Sequence, residues 1–239
     1  MDLLRVKNRN AVQTALNHLL DMLRLCRSDN MGVRDLVPLL YIRLDKDQEC
    51  YDFIKWWHVC DPDGKYDWGD MSLPNLNIKN ADVTERLKGF DDARFGSLPH
   101  AGMMCLVKFR LLQNLREIQK FQPGNTSLPV EILDQIRANM LPTTIQGNAK
   151  LTKDIENGKI GEVITELEGQ LGRLYQQVSR LNSHYWKLVL KPGRYLHEAP
   201  GAYSRGTLEE VIVWLPQTID AWSEIPGAMD WVKQKTGRR

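Results

Sequence analysis

The sequence predicts an all-α fold, and three observations carry that reading. Val12, Leu16, Leu19, Leu23 and Cys26 recur at steps of four and three, which lays one apolar stripe along a helix. The same rhythm returns at Val33, Val37, Leu40 and Leu44, and a similar one at Cys50, Phe53, Trp56 and Cys60. The turns joining these three stripes are a few residues long, so the helices are expected to be antiparallel neighbours. Every clear period in the chain is helical.

Each element has its own justification. Ser28, Asp29 and Asn30 interrupt the first stripe, and their side chains can accept from free backbone N–H groups, ending one helix and capping the next. Gly32 follows the cap, where a missing Cβ would let two helices approach closely. Pro38 falls inside the second stripe and is expected to kink it. Asp45, Lys46 and Asp47 form a polar turn before the third stripe. Residues 61–99 read as a long loop rich in Asp, Gly, Pro and Asn, pinned to the helices by Trp68, Met71 and Leu73. It is expected to fold back over the seam between the helices it connects, with Trp68 as its main anchor.

A helix is expected over 100–121, with Val107, Leu111, Leu115 and Ile118 on a broad apolar face. A further helix is expected over 129–141, opened by Ser127 and Pro129. Residues 123–159 otherwise read as a linker region. The longest helix carries Ile160, Ile164, Leu167, Leu171, Leu174, Val178 and Leu181, an unbroken three-heptad pattern. It fits either a coiled-coil seam between two copies of the chain or a helix packed within its own chain. Three heptads are marginal for the first, which favours the second. Thr207 and Glu210 form a capping box at the start of a helix that Pro216 is expected to kink before Ile219 and Trp222. A last short helix is expected over 228–235. The whole chain, 1–239, is read as one helical domain, with repeat-like helices in 1–122 and a C-terminal helical segment in 160–239.

Particular runs suggest a family. Leu23 to Arg34 reads Leu-Arg-Leu-Cys-Arg-Ser-Asp-Asn-Met-Gly-Val-Arg, and Leu44 to Cys50 reads Leu-Asp-Lys-Asp-Gln-Glu-Cys. Together they resemble the junction of a tetratricopeptide-like repeat, with Arg27 standing where proline is usual and Asp45 where glycine is usual. The helix of residues 12–26 resembles the second helix of such a repeat. The segment from Leu181-Asn182-Ser183-His184-Tyr185-Trp186 to Asp230-Trp231 is similar to the closing segment of the tumour-suppressor-seven-like branch. The run Lys65-Tyr66-Asp67-Trp68-Gly69-Asp70-Met71-Ser72-Leu73-Pro74 resembles a fungal group associated with a MYND-type zinc finger. The resemblance implies stacked helical hairpins, a TPR-like α-solenoid. It does not carry the finger over, because that finger needs about seven cysteines and this chain has four.

Composition bounds the function. At 239 residues and 27.6 kDa the chain can bury one sizeable core. A formal net charge of +2 gives no reason to expect nucleic acid or an acidic membrane as partner. No apolar run approaches the ~20 residues of a membrane span. Cys26, Cys50, Cys60 and Cys105 all fall on apolar stripes and read as buried free thiols, which points to the cytoplasm or nucleus. Cys50, His58 and Cys60 lack the spacing and the fourth ligand that zinc requires. Asp61, Asp63, Asp67 and Asp70 fail the EF-hand pattern, with Lys65, Tyr66 and Ser72 at ligand positions, and read as turn formers. No nucleophile, metalloprotease or phosphate-loop motif is present, and no cofactor is expected.

The favoured expectation is a non-enzymatic scaffold that binds a protein or peptide in a groove between helices. Its candidate partner-binding residues are Trp57, Tyr66, Asp67, Trp68 and Asp70. Trp57 follows Trp56 about 100° around the helix, so with Trp56 on the apolar stripe Trp57 is expected to be partly exposed. Alternatives are a cryptic enzyme or metal protein using the 61–99 loop as a lid, or a shortened relative of the finger proteins. A homodimer through residues 160–181 is the expected self-association, if any.

Overall fold

The computed structural model describes residues 8–91, 96–120 and 143–237. All regular structure among them is helical: α1 (Arg9–Leu25), α2 (Val37–Arg43), α3 (Asp47–Val59), α4 (Leu98–Lys120), α5 (Thr143–Gln146), α6 (Ala149–Glu156), α7 (Ile160–Leu181), α8 (Tyr185–Leu190), α9 (Leu208–Ser223) and α10 (Ala228–Gly237). The helix expected over 129–141 lies outside the described residues. No described helix is long and apolar enough to cross a membrane.

Local chemistry sets the boundaries. Asn8 caps α1 by accepting from the Ala11 N–H at 2.8 Å. Asp29 accepts from the N–H groups of Val33 and Arg34, at 2.8 and 3.0 Å, and so nucleates the 3₁₀ turn Val33–Asp35. The second stripe is therefore two pieces, that turn and α2. Pro38 does not kink a helix there. It sits in the first turn of α2, where no N–H is needed. Gly32 has open space around it, so close approach is not its role either. Its φ of +69° is what demands glycine. The close approach occurs at Gly102 of α4, where a Cβ would fall 2.3 Å from the hydroxyl of Tyr185.

Consecutive helices pack as neighbours, α1 on α2, α2 on α3 and α3 on α4, and the most extensive packing is α4 on α7. The stripe of α7 is spent in that contact: Ile160, Ile164, Leu167, Leu171, Leu174 and Val178 are all buried within the chain. A second copy of the chain would have to use another face. The C-terminal segment then returns, with α9 packing on α2 and on α8. Tyr175, Tyr185, Trp186, Trp222 and Trp231 form an aromatic cluster there, with Trp222 donating to the Tyr185 hydroxyl at 3.2 Å. Pro216 lies inside α9 without ending it. Within the stretch read as a linker, α5 and α6 bury Ile145 and Leu151.

The loop between α3 and α4 has two halves with different supports. The first, residues 61–74, lies against the end of α3 and is clamped by Arg27, whose guanidinium donates to the carbonyls of Asp70, Met71 and Leu73 at 3.0–3.1 Å. The second, residues 80–91, lies over α3, α4 and α7. Asp52 accepts from the N–H groups of Asn80 and Ala81, Lys108 donates to the carbonyls of Val83 and Glu85, Gln170 donates to Thr84 and Arg180 donates to Asp91. The seam expected for Trp68 is thus covered by the second half, through Val83 and Leu87. Met71, expected as an anchor, is 64% exposed. The cysteines also divide: Cys50 and Cys105 are buried, whereas Cys26 and Cys60 are only partly so.

Two outcomes follow for stability. Leu40 and Phe53 are both buried, so Leu40→Ala and Phe53→Ala should each cost about 2–5 kcal/mol in chemical denaturation. Burial pushes the Lys108 ammonium down to about 7, against the opposing pull of Asp82, Glu85 and Glu166. A neutral amine still offers two N–H groups for its two carbonyls. Folded Lys108 holds its proton less tightly than an unfolded lysine, so between about pH 7 and about pH 10 the unfolded chain binds more protons and stability rises with pH. The stability of wild type relative to Lys108→Met, measured by urea denaturation, should therefore increase by roughly 3 kcal/mol across that range. A flat difference would mean that Lys108 titrates normally.

Candidate functional site

The expected site residues separate into two groups. Trp57, Tyr66 and Trp68 come together at the end of α3. Trp68 stacks on Trp57 with ring centres 5.6 Å apart and lies 4.6 Å from Tyr66, while Trp56 meets both Tyr66 and Trp68 edge-on. Trp56 is buried on the helix stripe and Trp57, one residue on, is half-exposed, as their angular offset requires. Asp67 and Asp70 are not part of this cluster. Their carboxylates accept from the N–H groups of Gly69 and Ser72, two residues on, and so shape the turns that carry Trp68. Asp61 does the same for Tyr66.

Trp57 is also the link to a cleft of about 450 Å³. Its lining joins distant parts of the chain: Arg34 and Asp35 from the turn before α2, Ile54, Trp57 and His58 from α3, Ser97 to Ala101 from the start of α4, Gln177 and Leu181 from α7, and Tyr203, Arg205, Glu210 and Trp214 from α9 and the loop before it. The guanidinium of Arg34 lies 4.7 Å from the centre of the Trp57 ring. Of these residues only Trp57 was singled out as a site residue by sequence. The rest come from segments up to about 180 residues apart, and nothing in local spacing could have joined them.

The cleft brings a serine, an aspartate and a histidine together, but in an order unsuited to nucleophilic catalysis. The Ser97 hydroxyl donates to Asp35 at 2.7 Å rather than to an imidazole, and accepts from the backbone N–H of His100. The His100 Nε2 lies 3.1 Å from the carbonyl of Arg34 and 3.5 Å from Asp35. Facing two acceptors, Nε2 carries the proton and cannot act as a base there. Burial lowers the His100 pKa, and Asp35 opposes this only in part. Ser97, Asp35 and His100 thus form a pin that fixes the start of α4 to the turn before α2.

The other polar groups are engaged as follows. His58 Nε2 pairs with the Lys88 carbonyl at 2.9 Å, so His58 holds the loop. Cys50 Sγ donates to the Pro38 carbonyl and Cys60 Sγ to that of Trp57. Glu210 accepts from the Gly206 N–H and the Asn182 amide. Among the described residues no group of three or more His, Cys, Asp or Glu is placed to hold a metal ion. A second concavity, of about 550 Å³, lies between α2, α4 and the turn after α9. Arg43 and Arg110 line it, and both are paired with carboxylates. Arg110 meets Asp47, which burial pushes up to about 6 despite that arginine.

No protein-family model matches this chain, and neither does any curated protein or solved structure.

The two halves of the loop make separable demands. Replacing Trp68 with Ala removes the stacking partner of Trp57 but leaves Val83, Leu87 and the Lys108 contacts in place. Limited proteolysis of Trp68→Ala should give new cleavage within residues 61–74 and leave 80–91 as protected as in wild type. Equal cleavage in both halves would show that they do not fold independently.

Proposed function

We propose that this chain is a non-enzymatic scaffold of repeat-like stacked helices that binds a polypeptide partner in the cleft beside Trp57. The observation that carries the reading is the chemistry of that cleft. It is concave, of the size that accommodates a short peptide segment, and walled by Trp57, Trp214 and Tyr203. Half-buried aromatic side chains next to arginines are the composition of binding hot spots. The groups that would be needed for hydrolysis are hydrogen-bonded to one another in a structural pin instead. The second loop half covers the helices on which a repeat protein would otherwise offer its groove, which leaves the Trp57 end as the accessible part.

The test is selection of peptides from a random display library on the purified full chain. Binding of the selected peptides should be saturable, should change tryptophan fluorescence, and should weaken roughly tenfold or more in Trp57→Ala. A panel of ester and amide substrates should show no turnover that Ser97→Ala abolishes. Turnover lost with Ser97 would replace the scaffold by a hydrolase, and selection that enriches nothing dependent on Trp57 would remove the cleft from consideration.

A further inference from the structure

The polar groups of this cleft are not evenly committed, and the imbalance points to the chemistry of a partner. Both carboxylates in the lining already receive donors from the chain: Asp35 from Ser97, and Glu210 from Gly206 and Asn182. The donors are left over. Arg205, in the exposed loop before α9, makes no hydrogen bond or ion pair with any described residue. Among the described residues Arg34 has a single ion pair, to Asp29 at 3.7 Å, and its side chain stays 41% exposed. Trp57 leaves its indole N–H buried without an acceptor. The formal charges of Arg34, Arg205, Asp35 and Glu210 cancel within the described lining. Recognition has to come from short-range pairing to the guanidinium groups.

From this we infer that the cleft takes an acidic peptide segment, whose Asp or Glu side chains pair with Arg205 and Arg34 while an adjoining apolar side chain packs on Trp57 and Trp214. A carboxylate is the peptide group that accepts two parallel N–H bonds from a guanidinium. Arg205 presents all five of its donors, because nothing in the described chain occupies them. Arg34 is pre-positioned by its contact with Trp57 and its backbone bonds to Asp29 and His100, so little freedom is lost when it binds. A basic peptide would set its cations against Arg34 and Arg205, and it would meet only two carboxylates, each already holding a donor on one oxygen. This inference rests on the scaffold reading, since it names the partner of the same cleft.

The experiment uses the full chain and three fluorescein-labelled peptides of equal length. Each carries one Leu and one Phe, and the remaining positions are Glu and Asp, Gln and Asn, or Lys and Arg. Fluorescence anisotropy should show the acidic peptide binding roughly tenfold or more tighter than the other two. Arg205→Glu, at an exposed side chain without partners, should leave the helical circular dichroism unchanged and abolish the preference. Arg205→Lys should restore part of it, since it keeps the charge but loses the fork. Inorganic phosphate should compete only weakly. Equal binding of the neutral or basic peptide, dependent on Trp57, would overturn the acidic preference and leave the scaffold standing. Failure of all three peptides to bind would count against both. Full displacement by phosphate at concentrations that leave ionic strength unchanged would show a small-anion site in place of a peptide site.

Discussion

A helical protein that carries residues 60–91 without a helix must find partners for the backbone groups of that segment, and this constraint organises the molecule. Each buried N–H and C=O left unpaired costs about as much as a lost hydrogen bond. Here the partners are long side chains rising from the helices. Arg27 serves three carbonyls of the first half, and Lys108, Gln48, Gln170, His58 and Arg180 serve six of the second. Asp52 receives two amides. These side chains come from the turn after α1 and from α3, α4 and α7, so the loop reinforces contacts that helix packing already makes across the chain order. It also explains polar residues at positions where a stripe would predict apolar ones. Lys108 and Gln170 are buried because the loop needs them.

Asp45 and Arg27, the two positions where the sequence differs from the resembled repeat junction, have physical roles in the structure. Asp45 has a φ of +58°, a conformation that glycine adopts freely and aspartate tolerates better than most residues. In exchange for that strain its carboxylate is gripped by Arg9 and Arg110, joining α1, the α2–α3 turn and α4. These guanidinium groups outweigh its partial burial and hold its pKa below the usual carboxylate range. Arg27 occupies the other position and is the clamp of the first loop half. A proline there would supply a stiffer helix end but no donor. Asp45 and Arg27 thus both serve long-range ties, the first to α1 and α4 and the second to the loop.

The sequence was most legible where periodicity and burial coincide. The stripe of α7 fixed its bounds to the residue, because a helix packed on one face must repeat its apolar residues at steps of three and four. Trp57 was placed correctly on angle alone. Legibility failed where backbone conformation or tertiary reach decides. Pro38 looked interior only because the 3₁₀ turn and α2 share one stripe, and Gly32 looked like a contact when it is a left-handed turn. Met71, apolar in a turn-rich run, was read as an anchor. Its side chain is free because Arg27 holds the backbone beside it and no side-chain contact is needed. Val83 and Leu87, the true anchors of the second half, lie in a stretch too short to show a period.

The cleft shows the same division at the level of function. Ser97, Asp35 and His100 are the residue types of a catalytic triad, and no sequence argument could decide whether they meet, since triads are defined by geometry. They do meet, and the direction of each hydrogen bond then decides what they do. A hydroxyl that gives its proton to a carboxylate is not being activated by an imidazole, and an imidazole that gives its own proton to a carbonyl cannot accept one at the same atom. The same three groups that would define an enzyme in one order define a rigid joint in this one. That joint fixes the turn bearing Arg34 to the start of α4. It therefore holds the turn that places the Arg34 guanidinium over Trp57, and the shape of the cleft depends on this hydrogen-bonded set.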